Sequence, residues 1–170
     1  MSDVDRLWTP WRYQYIKGAT GEKSGDNDST SSCIFCTLQQ DSDSDESNFI
    51  IHRARYNFIV LNLYPYISGH LLIIPCEHTS ELDSVSKEAT DELMDLAKRA
   101  QSVLREIYQP HGFNLGMNLG RVAGAGVAGH VHLHVMPRWT GDANFMTTVG
   151  EARVLPEDLH TTYDKLRGRF

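Results

Sequence analysis

The sequence predicts an α+β domain built on a mainly antiparallel sheet of about five strands. Three observations carry that expectation. Two short β-branched and aromatic runs lie close together before residue 76. A long segment after them repeats its apolar residues at a helical period, and two further strand-like runs follow, joined by a glycine-rich loop. At 170 residues the chain is the size of one domain, against a prior of about 150 residues. A chain of this length buries roughly 70% of its unfolded surface, so it needs no disulfide framework.

Taken in order, residues 1–17 are rich in aromatics, with Trp8, Trp11, Tyr13 and Tyr15. Such surfaces suit a docked segment. Gly18–Ser32 and Asp41–Ser47 hold little to bury, so both are expected to be mobile. Between them lies an apolar island, Cys33–Leu38, which needs an anchor. Asn57–Leu63 and His70–Pro75 are apolar on both faces and read as buried strands. Ser86 can cap a helix in which Ala89, Leu93, Leu96, Ala97, Ala100, Leu104 and Ile107 form one stripe, closed by Pro110 and Gly112. That stripe is core or a dimer face, because its apolar residues recur on one side only. Phe113–Leu119 is a strand, Gly120–Gly129 a glycine loop, and His130–Met136 the last strand, stopped by Pro137.

Charge and composition exclude several classes. With 16 Lys and Arg against 22 Asp and Glu the net charge is −6, which disfavours a nucleic-acid backbone as partner. The longest apolar run, Leu71–Ile74, is too short to span a bilayer. The first residues lack an apolar signal core, so the expected compartment is the cytoplasm. Three cysteines cannot all pair, which leaves core, metal-ligand or nucleophile roles for them. Cys76 reads as a small core residue, and His52, His111 and His160, which have no partner visible in the sequence, as surface or loop positions.

His130, His132 and His134 alternate with Val131, Leu133 and Val135, so in a strand the imidazoles share one face. At about 3.3 Å per residue, His130 and His134 stand roughly 13 Å apart, too far to share one ion in a straight strand. Different jobs for the three rings fit better than a mononuclear metal enzyme. Gly124, Gly126 and Gly129 permit positive φ and close approach of backbone N–H groups, which suits a phosphate. A neutral imidazole beside that loop is a competent nucleophile at phosphorus once its tautomer is fixed. Arg121 and Arg138 are candidate cations for distal phosphates.

His130-Val-His-Leu-His134, preceded by Asn118-Leu-Gly120 and the glycine loop, resembles the motif of the histidine-triad (HIT) superfamily of nucleotide hydrolases and transferases. Asn62-Leu-Tyr-Pro65, Gly69-His70 and His78 resemble its core strands and their ends. Leu7–Trp11, Pro137-Arg-Trp139 and Gly141–Phe145 resemble its diadenosine-tetraphosphate phosphorylase branch. The resemblance covers about residues 33–146, with 1–32 as an N-terminal segment and 147–170 as an extension. It implies a HIT-like fold paired as a homodimer. It also implies His132 as nucleophile at the α-phosphorus and His134 as the contact to the reacting phosphate. Asn62 would hold the ribose, Ile34, Phe35 and Leu38 would clamp a purine, and Asn118, Gly126 and Val127 would grip phosphate oxygens.

Many members carry Gln with Ser or Thr where this chain has Gly126-Val127, and the missing Gln favours a transferase or phosphorylase over a plain hydrolase. Two thiolates and two imidazoles make a closed tetrahedral zinc site. By resemblance to zinc-bearing members, Cys33, Cys36, His78 and His130 would hold structural Zn²⁺, which would anchor the island; a redox role for the Cys pair lacks the expected βαβ setting. The resemblance thus implies a nucleotidyltransferase or phosphorylase acting on dinucleoside polyphosphates such as diadenosine tetraphosphate, with inorganic phosphate as acceptor. The alternatives are a HIT hydrolase of phosphoramidates, adenylates or dinucleoside polyphosphates, and a non-catalytic nucleotide sensor.

Overall fold

The structure, a computed structural model, describes residues 33–144 and 155–170. The N-terminal aromatic segment, the Gly18–Ser32 tract and Phe145 of the branch motif lie outside the described residues. Helix α1 spans Ile34–Gln40, and strands β1 Ile50–Arg53, β2 Asn57–Leu61 and β3 Leu71–Pro75 follow. Helix α2 runs Lys87–Tyr108, then come β4 Gly112–Gly116, β5 Leu133–Arg138 and helix α3 Leu159–Leu166. The five strands form one antiparallel sheet in the order β1-β2-β3-β5-β4. Insertion of β5 between β3 and β4 brings the histidine segment to the middle of the sheet.

The double-sided apolar strands divide cleanly. Ile59, Leu61, Leu71, Ile73, Leu133 and Val135 face the core under α2, where Leu93, Leu96, Ala97, Ala100 and Leu104 meet them. Phe58, Val60, Leu72 and Ile74 face the other way and pack on Phe35, Cys33 and Cys36 of the island. Ser86 caps α2 by accepting from the Ala89 N–H at 3.3 Å, and Gln109 closes the helix in the left-handed conformation at φ 48°. Tyr163 and Leu166 of α3 join the first core.

Several expectations need correction. The island is a helix, and β1 and α3 are elements that propensity alone does not mark. The tract Asp41–Ser47 is ordered: Arg53 donates to the carbonyls of Leu38 (2.8 Å), Gln39 (2.8 Å) and Asp41 (2.9 Å) and pairs with Asp45 at 2.7 Å. That guanidinium satisfies the orphan carbonyls at the end of α1 and ties the tract to β1. The last strand starts at Leu133 rather than His130 and runs through Pro137, which tolerates a place in the β4–β5 ladder. Strand β4 ends at Gly116, short of Leu119, and Cys76 is half-buried against the second core. His52 stacks on Phe170 at 6.0 Å, His160 meets Phe49 at 4.9 Å, and His111 accepts from the Thr140 N–H at 3.0 Å, so all three have partners.

Gly69 takes φ +77°, and an added Cβ would meet Leu104 Cδ2 at 3.1 Å and Pro137 Cγ at 3.3 Å. Gly69→Ala is expected to destabilise the fold by about 2–4 kcal/mol, from left-handed strain plus overpacking. Urea unfolding of the variant against the parent protein measures it.

Candidate active site and metal centre

The second face of the sheet carries a cavity of about 460 Å³. Helix α1 contributes Ile34, Phe35 and Leu38 to its wall, and the β2–β3 connection contributes Asn62, Tyr64 and Tyr66. The glycine loop adds Asn118, Gly124, Gly126 and Val127, and the start of β5 adds His132 and His134. All nine residues expected at the nucleotide and catalytic positions therefore line one cavity. Of the loop's glycines, Gly120 and Gly124 take left-handed backbone, whereas Gly126 and Gly129 do not. The 3₁₀ turn Arg121–Ala123 uses the N–H groups of Ala123, Gly124 and Ala125 within the loop.

His132 is buried, and its Nδ1 lies 2.9 Å from the carbonyl oxygen of His130. A carbonyl only accepts, so Nδ1 carries the proton and Nε2 keeps its lone pair. Burial pushes the ring's pKa down, opposed by that same hydrogen bond, which favours the neutral form a nucleophile requires. Phe35 meets the ring edge-on at 5.1 Å and holds its orientation.

His134 is set by a chain of donors. The Tyr66 N–H donates to His70 Nδ1 at 3.2 Å, so the proton of a neutral His70 sits on Nε2. That nitrogen donates to His134 Nδ1 at 2.8 Å, which leaves the His134 proton on Nε2. His134 Nε2 is buried, has no partner among the described residues, and belongs to a residue of the cavity wall. An N–H left so is costly unless a ligand oxygen meets it. Burial first, and the neighbouring His132 second, lower the His134 pKa to about 4.

Next to this cavity, one ligand atom each from Cys33, Cys36, His78 and His130 lie within 4.8 Å of one another. Cys36 Sγ stands 3.2 Å from His78 Nδ1, Cys33 Sγ stands 3.4 Å from His130 Nδ1, and the two Nδ1 atoms are 3.4 Å apart. Tetrahedral bonds of about 2.0–2.3 Å put ligand atoms about 3.3–3.8 Å apart, so these separations fit the edges of such a site. His130 Nε2 donates to the Pro75 carbonyl at 2.9 Å, which turns the Nδ1 lone pair toward the cluster. Burial and the neighbouring Cys33 push the Cys36 thiol up to about 11. A thiolate pair in this position requires a positive partner.

The model of the HIT domain matches residues 43–141. The chain belongs to the HIT family. It is 40% identical over 159 residues to the AP-4-A phosphorylase of Mycobacterium tuberculosis, covering 94% of this chain and 80% of that protein. It is 31% identical over 106 residues to the adenosine 5'-monophosphoramidase of Saccharomyces cerevisiae, covering 62% of each. Among solved structures, a Zn-bound histidine triad family protein from Mycobacterium smegmatis superimposes with a TM-score of 0.66 at 28% identity, covering 83% of this chain and 94% of that one.

Within the HIT domain, the expectation for the two arginines needs correction. Arg121 sits in the exposed 3₁₀ turn and is not part of the cavity wall. Arg138 lies beyond the cavity, where Asp142 at 2.6 Å and Asn114 at 2.5 Å occupy its donors. Sequence reasoning also missed wall residues. Ser47 falls in the polar tract expected to move, Asn48 directly follows it, and Tyr66 sits one place past a recognised motif. His70, which the sequence places only at the start of a core strand, is the group that sets the tautomer of His134.

Because folded His134 resists protonation, the unfolded chain binds that proton first as pH falls. The stability it contributes is therefore fully present above the ordinary value of 6.5 and declines as pH falls toward about 4. An NMR titration of the imidazole carbons should show His134 still neutral at pH 5, and a normal titration there would contradict the hydrogen-bond chain.

Proposed function

We propose that this HIT protein is a nucleotidyl-transferring phosphorylase that cleaves dinucleoside polyphosphates through a nucleotidyl-His132 intermediate. The observation that carries the reading is His132 on the wall of an apolar-lined cavity, with its proton fixed on Nδ1 and Nε2 left as the free base. The likeness to a phosphorylase at 40% identity supports it.

His132 Nε2 attacks the α-phosphorus, forming an N–P bond as the P–O bond to the bridging oxygen breaks. With diadenosine tetraphosphate the leaving group is ATP. An oxygen of inorganic phosphate then attacks the same phosphorus, the P–N bond breaks, and ADP leaves with His132 restored. The Nε2–H of His134, a residue of the cavity wall, supports a phosphoryl oxygen as charge develops there. Asn62 holds the ribose, Ile34, Phe35 and Leu38 clamp the purine, and Asn118, Gly126 and Val127 grip the phosphate chain. In place of the Gln that many members carry, Gly126 and Val127 present no polar side chain that would position a water.

Cys33, Cys36, His78 and His130 would hold one structural Zn²⁺, which supplies a cross-link between α1 and the segment leading into β5. The spacing of the four ligand atoms and the zinc-bound structural relative support this reading. The protein works as a homodimer, a reading supported by the edge strand β4, which is paired on one side only among the described strands. No helix among the described residues is long and apolar enough to cross a membrane.

Incubation with diadenosine tetraphosphate should give ATP and ADP with phosphate present. AMP in place of ADP would replace phosphorolysis by hydrolysis. His132→Ala should cut turnover by at least about 10³-fold while nucleotide still binds, and full activity would end the proposal. Metal analysis of the purified protein should find one zinc per chain, lost in Cys36→Ser together with several degrees of Tm; a metal-free native protein would remove the zinc reading.

A further inference from the structure

We propose that a second cavity, beside the first on β5, receives the distal nucleoside of the dinucleoside polyphosphate whose near end reacts at His132. This inference rests on the reading of His132 above and adds the substrate's far half to it. The second cavity holds about 660 Å³, and Tyr66, Ser68, Tyr108, Met136 and Trp139 are among its walls. Tyr66 belongs to both cavities, so they share a partition.

Strand β5 provides the scale. Alternate residues of a strand share a face: His134 lines the first cavity, and Met136 and Arg138 line the second. At about 3.3 Å per residue, Met136 stands about 7 Å and Arg138 about 13 Å along the strand from His134. A polyphosphate bridge covers such a gap between two nucleosides. A single nucleoside phosphate bound in the first cavity does not.

The chemistry of the walls selects what enters. Tyr108 and Trp139 meet edge to face at 6.4 Å, and Tyr66 adds a third aromatic, which suits a flat base and its sugar. The charges in the walls neutralise one another, Arg138 against Asp142 and Lys165 against Glu157. An uncharged nucleoside therefore fits better than a phosphate cluster. Ser68 is 8% exposed, and its hydroxyl has no partner among the described residues, so its wall holds an unused polar group.

The test compares diadenosine tetraphosphate with adenosine 5'-tetraphosphate, which keeps the reacting end and the phosphate chain and lacks the second nucleoside. The parent protein should favour the dinucleotide in kcat/KM by about tenfold or more. Met136→Trp and Ile67→Trp, at two residues of its wall, fill the second cavity and should shrink that ratio to within about twofold. Equal use of both substrates by the parent protein, or an unchanged ratio in the filled variants, would overturn the assignment. Mass spectrometry of the acid-labile adduct on His132 separates the two readings. An adduct from both substrates without discrimination overturns the second cavity alone, and no adduct from either overturns the His132 reading with it.

Discussion

The site depends on backbone carbonyls and amides that dictate where imidazole protons reside. The His130 carbonyl holds the proton of His132 on Nδ1, and the Pro75 carbonyl holds that of His130 on Nε2. The Tyr66 amide does the same for His134 through His70. Three rings of one sequence type thus carry their protons differently: His130 on Nε2 with its Nδ1 lone pair toward the Cys and His cluster, His132 on Nδ1, and His134 on Nε2. A buried imidazole has two tautomers of similar intrinsic energy, so a single hydrogen bond decides between them. Two of the deciding partners are main-chain carbonyls, and the third is the His70 ring, itself set by the Tyr66 amide.

The sheet makes this possible by keeping its faces separate. One face is closed by α2 and α3, with Leu104, Leu166 and Val135 fully buried. The other receives a helix of only seven residues, α1, too short to be stable alone. That helix is held by Arg53 at its C-terminal end and by the Cys and His cluster at its start. Its Ile34, Phe35 and Leu38 line the cavity, and its Cys36 belongs to the cluster. Phe35 sits edge-on to both His130 at 5.6 Å and His132 at 5.1 Å, so cavity and cluster are built around one ring.

Much of this was legible in the chain itself. The α2 stripe, its Ser86 cap and the alternation of His with aliphatic residues are local patterns, and each predicts its element because period and capping chemistry act over a few residues. The cluster of Cys33, Cys36, His78 and His130 came from resemblance, and the folded positions agree with it. What stayed hidden depended on distant partners. Nothing local marks Arg53 as the cap of α1, since its acceptors lie 12 to 15 residues earlier. The polar tract after the island read as mobile because its order comes from that one side chain. Arg138 looked like a phosphate ligand until Asp142 and Asn114 were found on it.

The sequence by itself determined the fold class and the alternation of histidine with aliphatic residues, because side-chain identity and strand period are local properties. Tertiary structure alone decided which nitrogen of each ring carries its proton, which arginine is already spoken for, and that two cavities adjoin across Tyr66. Those outcomes rest on contacts between residues up to 97 positions apart, such as Cys33 and His130, and hydrogen bonds of that range exist only after β5 has entered the sheet between β3 and β4.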